Sequence, residues 1–188
     1  MIRLFIAIRV PPEVRDALAA EQRRLAESGV SMRWVRPEGM HLTLVFLGNV
    51  AEDRRVATEA ATEWAAQLVA PLRLAVSSLG CFPARGTPRV LWAGLAGEIE
   101  PLRALQRDLD ARLRAAGFAV EDRRFTPHLT LGRAAPHGRR GTGDVVSKLP
   151  REPRDYGSWV AQDVEVIRSQ LQPSGSVYTT LFTAPLGG

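Results

Sequence analysis

The chain has 188 residues, the size of one ordinary domain, so we expect a single domain over residues 1–188 and exclude a multidomain protein. Its composition, with 45% apolar and 24% charged residues, is that of a folded globular protein and excludes an intrinsically disordered chain. The net charge of +5 suits an anionic partner, and Lys148, the only lysine, matches no motif for a lysyl intermediate, a Schiff base or a Walker-A phosphate loop.

The first part of the chain predicts a strand followed by a helix. Residues 2–10 are apolar, but Arg3 and Arg9 interrupt them, which argues against a signal peptide or a membrane span. A helix is expected over residues 12–28, with prolines at its start and Gly29 after its end. We therefore expect a cytoplasmic protein that does not enter a membrane.

The same order of elements recurs later in the chain. Residues 89–95 predict a strand, and residues 99–116 predict a helix with leucines at helical spacing and a stop at Gly117. A shift of 87 residues superimposes the two units and aligns Phe5 with Trp92. The chain is therefore predicted to contain an internal repeat.

The remaining segments complete the predicted fold. Residues 51–69 predict a third helix, residues 72–79 alternate like a strand, and residues 136–143 have the composition of a loop. Residues 159–171 and 176–183 predict a terminal hairpin. We expect an α+β fold with a duplicated, bilobal strand–helix–strand architecture, in which two mostly antiparallel sheets face a central cleft.

One tetrapeptide, His-Leu-Thr-Leu, occurs at residues 41–44 and again at residues 128–131, in a chain with three histidines. A chance match of this kind is roughly a one-in-a-thousand event for any pair of histidines. Because strand side chains alternate, each His and Thr share one face while the leucines enter the core. A pseudo-twofold axis between the two strands would bring both imidazoles and both hydroxyls into one cleft.

These four side chains suit phosphodiester chemistry. A neutral imidazole takes a proton from water, a protonated one donates to the leaving oxygen, and hydroxyls hold the non-bridging oxygens. A single histidine in an apolar stretch is usually structural, but core packing does not require the same polar pair in both halves. We therefore predict that His41 and His128 are catalytic. His137, in a Gly- and Arg-rich loop outside the repeat, is expected to be solvated.

We expect neither a metal ion nor another cofactor. Cys81 is the only cysteine, which excludes an intramolecular disulfide and a cysteine-based zinc site. Two histidines without a recognisable carboxylate or cysteine partner are a poor ligand set, so a metal site at His41 and His128 is the weakest alternative.

At these motifs the sequence resembles the two-histidine (2H) phosphoesterase superfamily, which is defined by two His-x-Thr-x motifs. It is most similar to the bacterial and archaeal RNA 2′,3′-cyclic phosphodiesterases, also called 2′-5′ RNA ligases. The resemblance covers nearly the whole chain and includes residues 4–8, 34–50, 125–133 and 169–178. Gly132 is a mild departure, since many relatives carry another small residue there.

The resemblance implies hydrolysis of a terminal 2′,3′-cyclic phosphate to a 2′-phosphate, with weak ATP-independent 2′-5′ ligation as the reverse type of reaction. It implies that His41 is the general acid for the departing 3′ oxygen and His128 the general base, with Thr43 and Thr130 binding the phosphate. Pseudo-symmetry makes the acid and base roles easy to exchange. The implied partner is an RNA end or a related nucleotide, and we expect a monomer.

Other side chains are weaker candidates for substrate binding. Arg133 could neutralise phosphate charge if the strand bends at Gly132, and Phe46 and Phe125 could stack a terminal base, although such aromatics more often pack in a core. Possible walls of the cleft are Arg36, Arg123, Arg124, Trp159 and Tyr178.

Two alternatives stay open at this point. The same fold could act on a small cyclic nucleotide, an ADP-ribose cyclic phosphate or a 2′-5′ oligonucleotide; a basic cleft beyond the catalytic pair would favour RNA, and a closed pocket would favour a small molecule. The second alternative is a non-catalytic module that binds RNA ends. Binding alone would not need both an acid and a base, which argues against it.

Overall fold

The computed structural model describes residues 1–122, 124–134, 145–173 and 175–187. Nine strands and four α-helices lie within these ranges. The helices are α1 (Pro12–Glu27), α2 (Arg55–Ala66), α3 (Ile99–Ala115) and α4 (Val145–Lys148). The strands are β1 (Ile2–Arg9), β2 (Arg33–Trp34), β3 (His41–Val50), β4 (Leu72–Phe82), β5 (Val90–Gly97), β6 (His128–Arg133), β7 (Ser158–Ala161), β8 (Asp163–Gln172) and β9 (Gly175–Pro185).

Both amphipathic helices predicted from the sequence are confirmed, as α1 and α3. Each buries an apolar face completely, with Leu18 and Leu25 in α1 and with Leu105 and Leu109 in α3. Gly29 follows α1 with a φ of 92°, the left-handed conformation in which glycine commonly ends a helix. Helical periodicity and glycine stops were therefore sufficient to place these two elements.

Other elements differ from the expectation in length. The third helix is shorter than residues 51–69, because the chain first forms a 3₁₀ turn at Glu52–Arg54 and only then α2. The strand expected over residues 72–79 continues to Phe82. The predicted loop at 136–143, with His137, lies outside the described residues. No helix in the described part of the chain is long and apolar enough to cross a membrane.

The strands form one antiparallel sheet in the order β7-β4-β5-β6-β3-β1-β8-β9, with β2 pairing to β6. The predicted α+β class and its duplication are confirmed. The two predicted sheets are two halves of this single sheet, joined between β6 and β3 at the pair Leu42 and Leu129. Both leucines are fully buried, so the joint lies in the core.

Each half of the sheet combines strands from both sequence repeats. β4 belongs to the first repeat but pairs with β5, and β8 belongs to the second repeat but pairs with β1. Helix α1 of the first repeat also contacts the half of the sheet that contains β7, β4, β5 and β6. Its Gln22 donates a hydrogen bond of 2.8 Å to the carbonyl of Leu131 in β6. Helix α3 in turn packs on α2 and contacts β3. The repeats are therefore interleaved.

The repeat is less regular than one shift of 87 residues suggests. Arg9 lies opposite His41, whereas Gly94 lies opposite His128, so the strands that precede the motifs are equivalent at a shift of 85. Ala7, not Phe5, is therefore the counterpart of Trp92, and the predicted strand alignment is wrong by two residues. The connections also differ in length, since α1 begins three residues after Arg9 whereas α3 begins five residues after the equivalent Gly94.

Candidate active site

The two His-Leu-Thr-Leu motifs meet where the halves of the sheet join. His41 begins β3 and His128 begins β6, and the antiparallel pair Leu42–Leu129 lies on the pseudo-twofold axis between them. Because the two strands are antiparallel, the positions on either side of this pair are His41 beside Thr130 and Thr43 beside His128. The leucines are buried while the four polar side chains keep contact with solvent, as strand alternation predicted.

Each imidazole is oriented by a carbonyl two residues earlier in the chain. The Nδ1–H of His128 donates to the carbonyl of Thr126 at 2.7 Å, and the ring of His41 is hydrogen-bonded to the backbone of Gly39. Gly39 and Thr126 occupy equivalent places in the two repeats. The hydrogen bond of His128 places the proton of its neutral ring on Nδ1, so both rings are held in position by the backbone that precedes their strands.

Aromatic rings surround His41. The ring of Phe5 stacks on the imidazole with 4.6 Å between centroids, and the ring of Tyr178 contacts it edge-on at 5.1 Å. This burial lowers the pKa of His41 to about 4; the Gly39 hydrogen bond opposes the shift and the charge of Arg133 adds to it. His41 is therefore neutral at pH 7 in the free protein.

His128 has different neighbours. Its imidazole meets the ring of Phe82 edge-on at 5.2 Å, and Phe82 lies in turn 5.2 Å from Trp92. Sequence analysis missed Phe5, Phe82 and Trp92 as site residues. Phe5 and Trp92 lie in predicted strands where alternation could have placed them on the His face, whereas Phe82 lies beyond the predicted end of its strand.

A cavity of about 380 Å³ opens on the side of the site formed by Thr43 and His128. Three candidates from the sequence line it, namely Arg133, Phe46 and Phe125, and so does Arg124. His41 and Thr130 do not contribute to its wall. The further lining residues are Leu44, Val45, Phe82, Val90, Gln106, Val120, Glu121 and Thr126.

A β-bulge explains how Arg133 reaches this cavity. Thr130 pairs with Trp92, but Gly132 pairs with Leu91, so Leu131 is an extra residue in β6. The bulge reverses the alternation that follows it and turns Arg133 towards the face of His128. From the sequence, this orientation required a bend at Gly132, and the bulge is one residue earlier, at Leu131.

The two sides of the pseudo-symmetric site are not alike. Arg33 and Trp34 form β2 and pair with the end of β6, which closes the side of His41 and Thr130. The equivalent residues 120–121 form no such pair with β3 in the described ranges, and the cavity lies between them and that strand. The cavity of nucleotide size therefore lies on one of the two sides, next to Thr43 and His128.

The weaker candidates are scattered. Tyr178 lies at the site, against His41, and Arg124 lies at the cavity. Trp159 packs against the main core, and Arg123 lies outside the described residues. Among the described residues, no group of three His, Cys, Asp or Glu side chains is arranged as metal ligands.

Comparison with known proteins finds one family profile that matches this chain twice. The profile of the family described as "LigT like Phosphoesterase" matches residues 8–92 and again residues 94–178, once in each repeat. Relatives named RNA 2′,3′-cyclic phosphodiesterase include one from Archaeoglobus fulgidus, 33% identical over 181 residues, which are 96% of this chain and 98% of the relative. Another, from Thermus thermophilus, is 34% identical over 196 residues, covering 100% of this chain and 91% of the relative.

Solved structures share the fold. A crystal structure of a Thermus thermophilus protein superimposes with a TM-score of 0.80 at 35% identity, covering 100% of this chain and 99% of the other. The family profile covers most of this chain, and both of its matches contain one of the histidine motifs. The chain belongs to the LigT-like phosphoesterase family.

Proposed function

We propose that this protein hydrolyses the 2′,3′-cyclic phosphate at an RNA end to a 2′-phosphate, without a metal ion. The observation that carries the proposal is the meeting of two His–Thr pairs at the pseudo-twofold axis, beside one cavity of nucleotide size. The names of the relatives from Archaeoglobus fulgidus and Thermus thermophilus support this choice of substrate. Arginines at the cavity, Arg124 and Arg133, suit an anionic ligand.

In the proposed mechanism the two histidines transfer one proton each. His128 takes a proton from a water molecule whose oxygen attacks phosphorus, and the bond between phosphorus and the 3′ oxygen breaks. Protonated His41 donates its proton to that oxygen, which leaves a 3′-hydroxyl and a 2′-phosphate. The hydroxyls of Thr43 and Thr130 donate to the non-bridging oxygens. Proton exchange with solvent then restores both imidazoles.

The acid role of His41 requires that substrate binding protonates it. In the free protein its pKa is about 4, so the ring is neutral at pH 7. An anionic phosphate within hydrogen-bond distance raises the pKa of an imidazole. Binding of the cyclic phosphate is therefore expected to add a proton to His41, whereas the exchanged assignment, with His41 as base, would need no proton on His41.

The remaining proposals concern the surroundings of the reacting atoms. Arg133 neutralises phosphate charge, and Phe46 and Phe125 form part of the nucleotide site. The reverse type of reaction, weak 2′-5′ joining of RNA ends, uses the same histidines. One chain supplies all four polar residues of the site, which supports action as a monomer, and the lone buried Cys81 is consistent with a cytoplasmic protein.

The experiment that tests the proposal is incubation of the purified protein, in excess chelator, with a short RNA that ends in a 2′,3′-cyclic phosphate. We expect an RNA with a 2′-phosphate end, identified by phosphatase sensitivity and chromatography. His41→Ala and His128→Ala should each lose at least about a hundredfold in kcat/KM, since each removes one proton transfer. His137→Ala, which changes the histidine outside both motifs, should keep full activity.

Other outcomes would replace the proposal. Full activity of either motif variant would remove the paired-histidine mechanism. Bound RNA without turnover would indicate a module that binds RNA ends. If the RNA is neither bound nor hydrolysed, the alternative is a small cyclic nucleotide, which the 380 Å³ cavity could hold.

A further inference from the structure

Three phenylalanine rings line the cavity, and two of them are already packed against other parts of the protein. Phe46 packs on a buried cluster that includes Phe5 and Ile167, and the guanidinium of Arg3 lies over its ring at 4.7 Å. Phe125 packs against the main hydrophobic core. Both rings are therefore held chiefly as parts of the cavity wall.

The third ring, Phe82, belongs to neither hydrophobic cluster of the described residues. It is partly exposed at the cavity and contacts two other aromatic side chains. The edge-on contact with His128, at 88° between planes, places it next to the catalytic pair. On another side it lies against Trp92, with 34° between planes, in a tilted arrangement.

Glycines on two neighbouring strands make room for Trp92. A Cβ atom at Gly80 would lie 2.3 Å from Cζ2 of the indole, and one at Gly94 would lie 3.1 Å from its Cζ3. The indole therefore lies against the backbone of β4 and β5, beneath Phe82. Trp92 is opposite Thr130 and Gly94 is opposite His128, so this aromatic pair lies directly beside the second motif.

On the basis of the proposed function, we propose that Phe82, backed by Trp92, is the surface on which the base of the terminal nucleotide stacks. The base would stack on the face of Phe82 that is open to the cavity, and its cyclic phosphate would then lie at the catalytic pair. Stacking on an aromatic ring accepts every base, because each has a π-face. The pair therefore contributes affinity for a nucleotide without selecting one RNA sequence.

The test compares two ligands that differ only in the base. One is a dinucleotide with a terminal 2′-phosphate, and the other is the same molecule without its terminal base. Calorimetry gives both dissociation constants, independently of turnover, for the wild type and for Phe82→Leu. We expect Phe82→Leu to weaken the ligand with the base about tenfold and the abasic ligand less than about twofold. Phe182→Leu, which changes a partly buried phenylalanine outside the cavity, is the matched control and should change the ratio of the two constants by less than about twofold. The same measurement on Phe46→Leu and Phe125→Leu tests the other wall of the cavity.

Each other result would overturn the inference. Equal losses for both ligands would mean that Phe82 acts by positioning His128 or by supporting the fold. A loss of base-dependent affinity in Phe46→Leu or Phe125→Leu, but not in Phe82→Leu, would move the base to the other wall. Failure of the wild type to bind either ligand would contradict the proposed function as well. If the wild type hydrolyses the cyclic phosphate but Phe82→Leu leaves the ratio of the two dissociation constants unchanged, only the role of Phe82 is contradicted.

Discussion

The burial of His41 links the candidate active site to the stability of the protein. Its pKa is about 4 in the folded protein, against an ordinary value of 6.5 in an unfolded chain. Between these two pH values the unfolded chain binds a proton that the folded protein does not, so lowering the pH favours unfolding. Stability from this group is therefore fully present above pH 6.5 and is lost as the pH falls to 4.

We expect the free energy of unfolding of the wild type to fall between pH 7 and pH 4, with at most about 3 kcal/mol of the loss due to His41. His41→Gln removes the titrating group and should flatten the curve by that amount. Urea unfolding at several pH values measures both. Parallel curves for the two proteins would show that the folded environment does not lower the pKa of His41.

Strand alternation was sufficient to predict on which face the two histidines and two threonines of the motifs lie, because it depends only on local geometry. The histidines, the threonines and the buried leucines all lie on the predicted faces. Phe82 and Tyr178 could not be assigned to particular histidines in this way. Tyr178 is far from His41 in sequence, and the two meet only because β9 and β3 lie in the same half of the sheet. Contacts of this kind depend on the tertiary fold.

At the scale of elements, one glutamine connects α1 to the two segments that carry the histidine motifs. The amide of Gln22 donates to the carbonyls of Val35 and Leu131, each at 2.8 Å. The N–H of Val35 also donates to the carbonyl of Leu131, at 2.9 Å. Val35 leads to the first motif and Leu131 ends the second, so Gln22 helps to hold the two in register.

We expect Gln22→Met to lower the free energy of unfolding by about 1–3 kcal/mol, because methionine fits a similar volume but leaves buried carbonyl oxygens with fewer donors. The exposed Gln67→Met is the control, with an expected change of less than about 0.5 kcal/mol. Denaturant unfolding followed by circular dichroism measures both. A Gln22→Met protein as stable as the control would show that the two hydrogen bonds contribute little.

Elements that depend on long-range pairing were the ones that the sequence did not predict. β2 has two residues, too few for a periodic pattern, and exists because β6 lies beside it. The bulge at Leu131 has a similar origin, since it arises from the register between β5 and β6. Helices α1 and α3, by contrast, carry enough turns for their periodicity to identify them.

At the scale of the molecule, the sequence revealed the repeat but not its interleaving. Similarity between repeats shows which segments are equivalent; it does not show with which half each segment pairs. The structure exchanges β4 and β8 between the halves and places Gln22 of α1 against β6. The two histidine motifs, which meet at the pair Leu42 and Leu129, therefore lie on an interface that neither repeat forms alone.

We infer from this exchange that residues 1–188 fold as one cooperative domain. Far-UV circular dichroism and tryptophan fluorescence should give coincident denaturant unfolding curves, because each half of the sheet contains strands from both repeats and neither repeat can unfold without breaking both halves. Native-state hydrogen exchange should give amides of β1 and β5, one central strand from each half, the same free energy of opening. If one set opens at lower free energy, the halves are separate folding units, and the histidine pair can be broken while half of the protein stays folded.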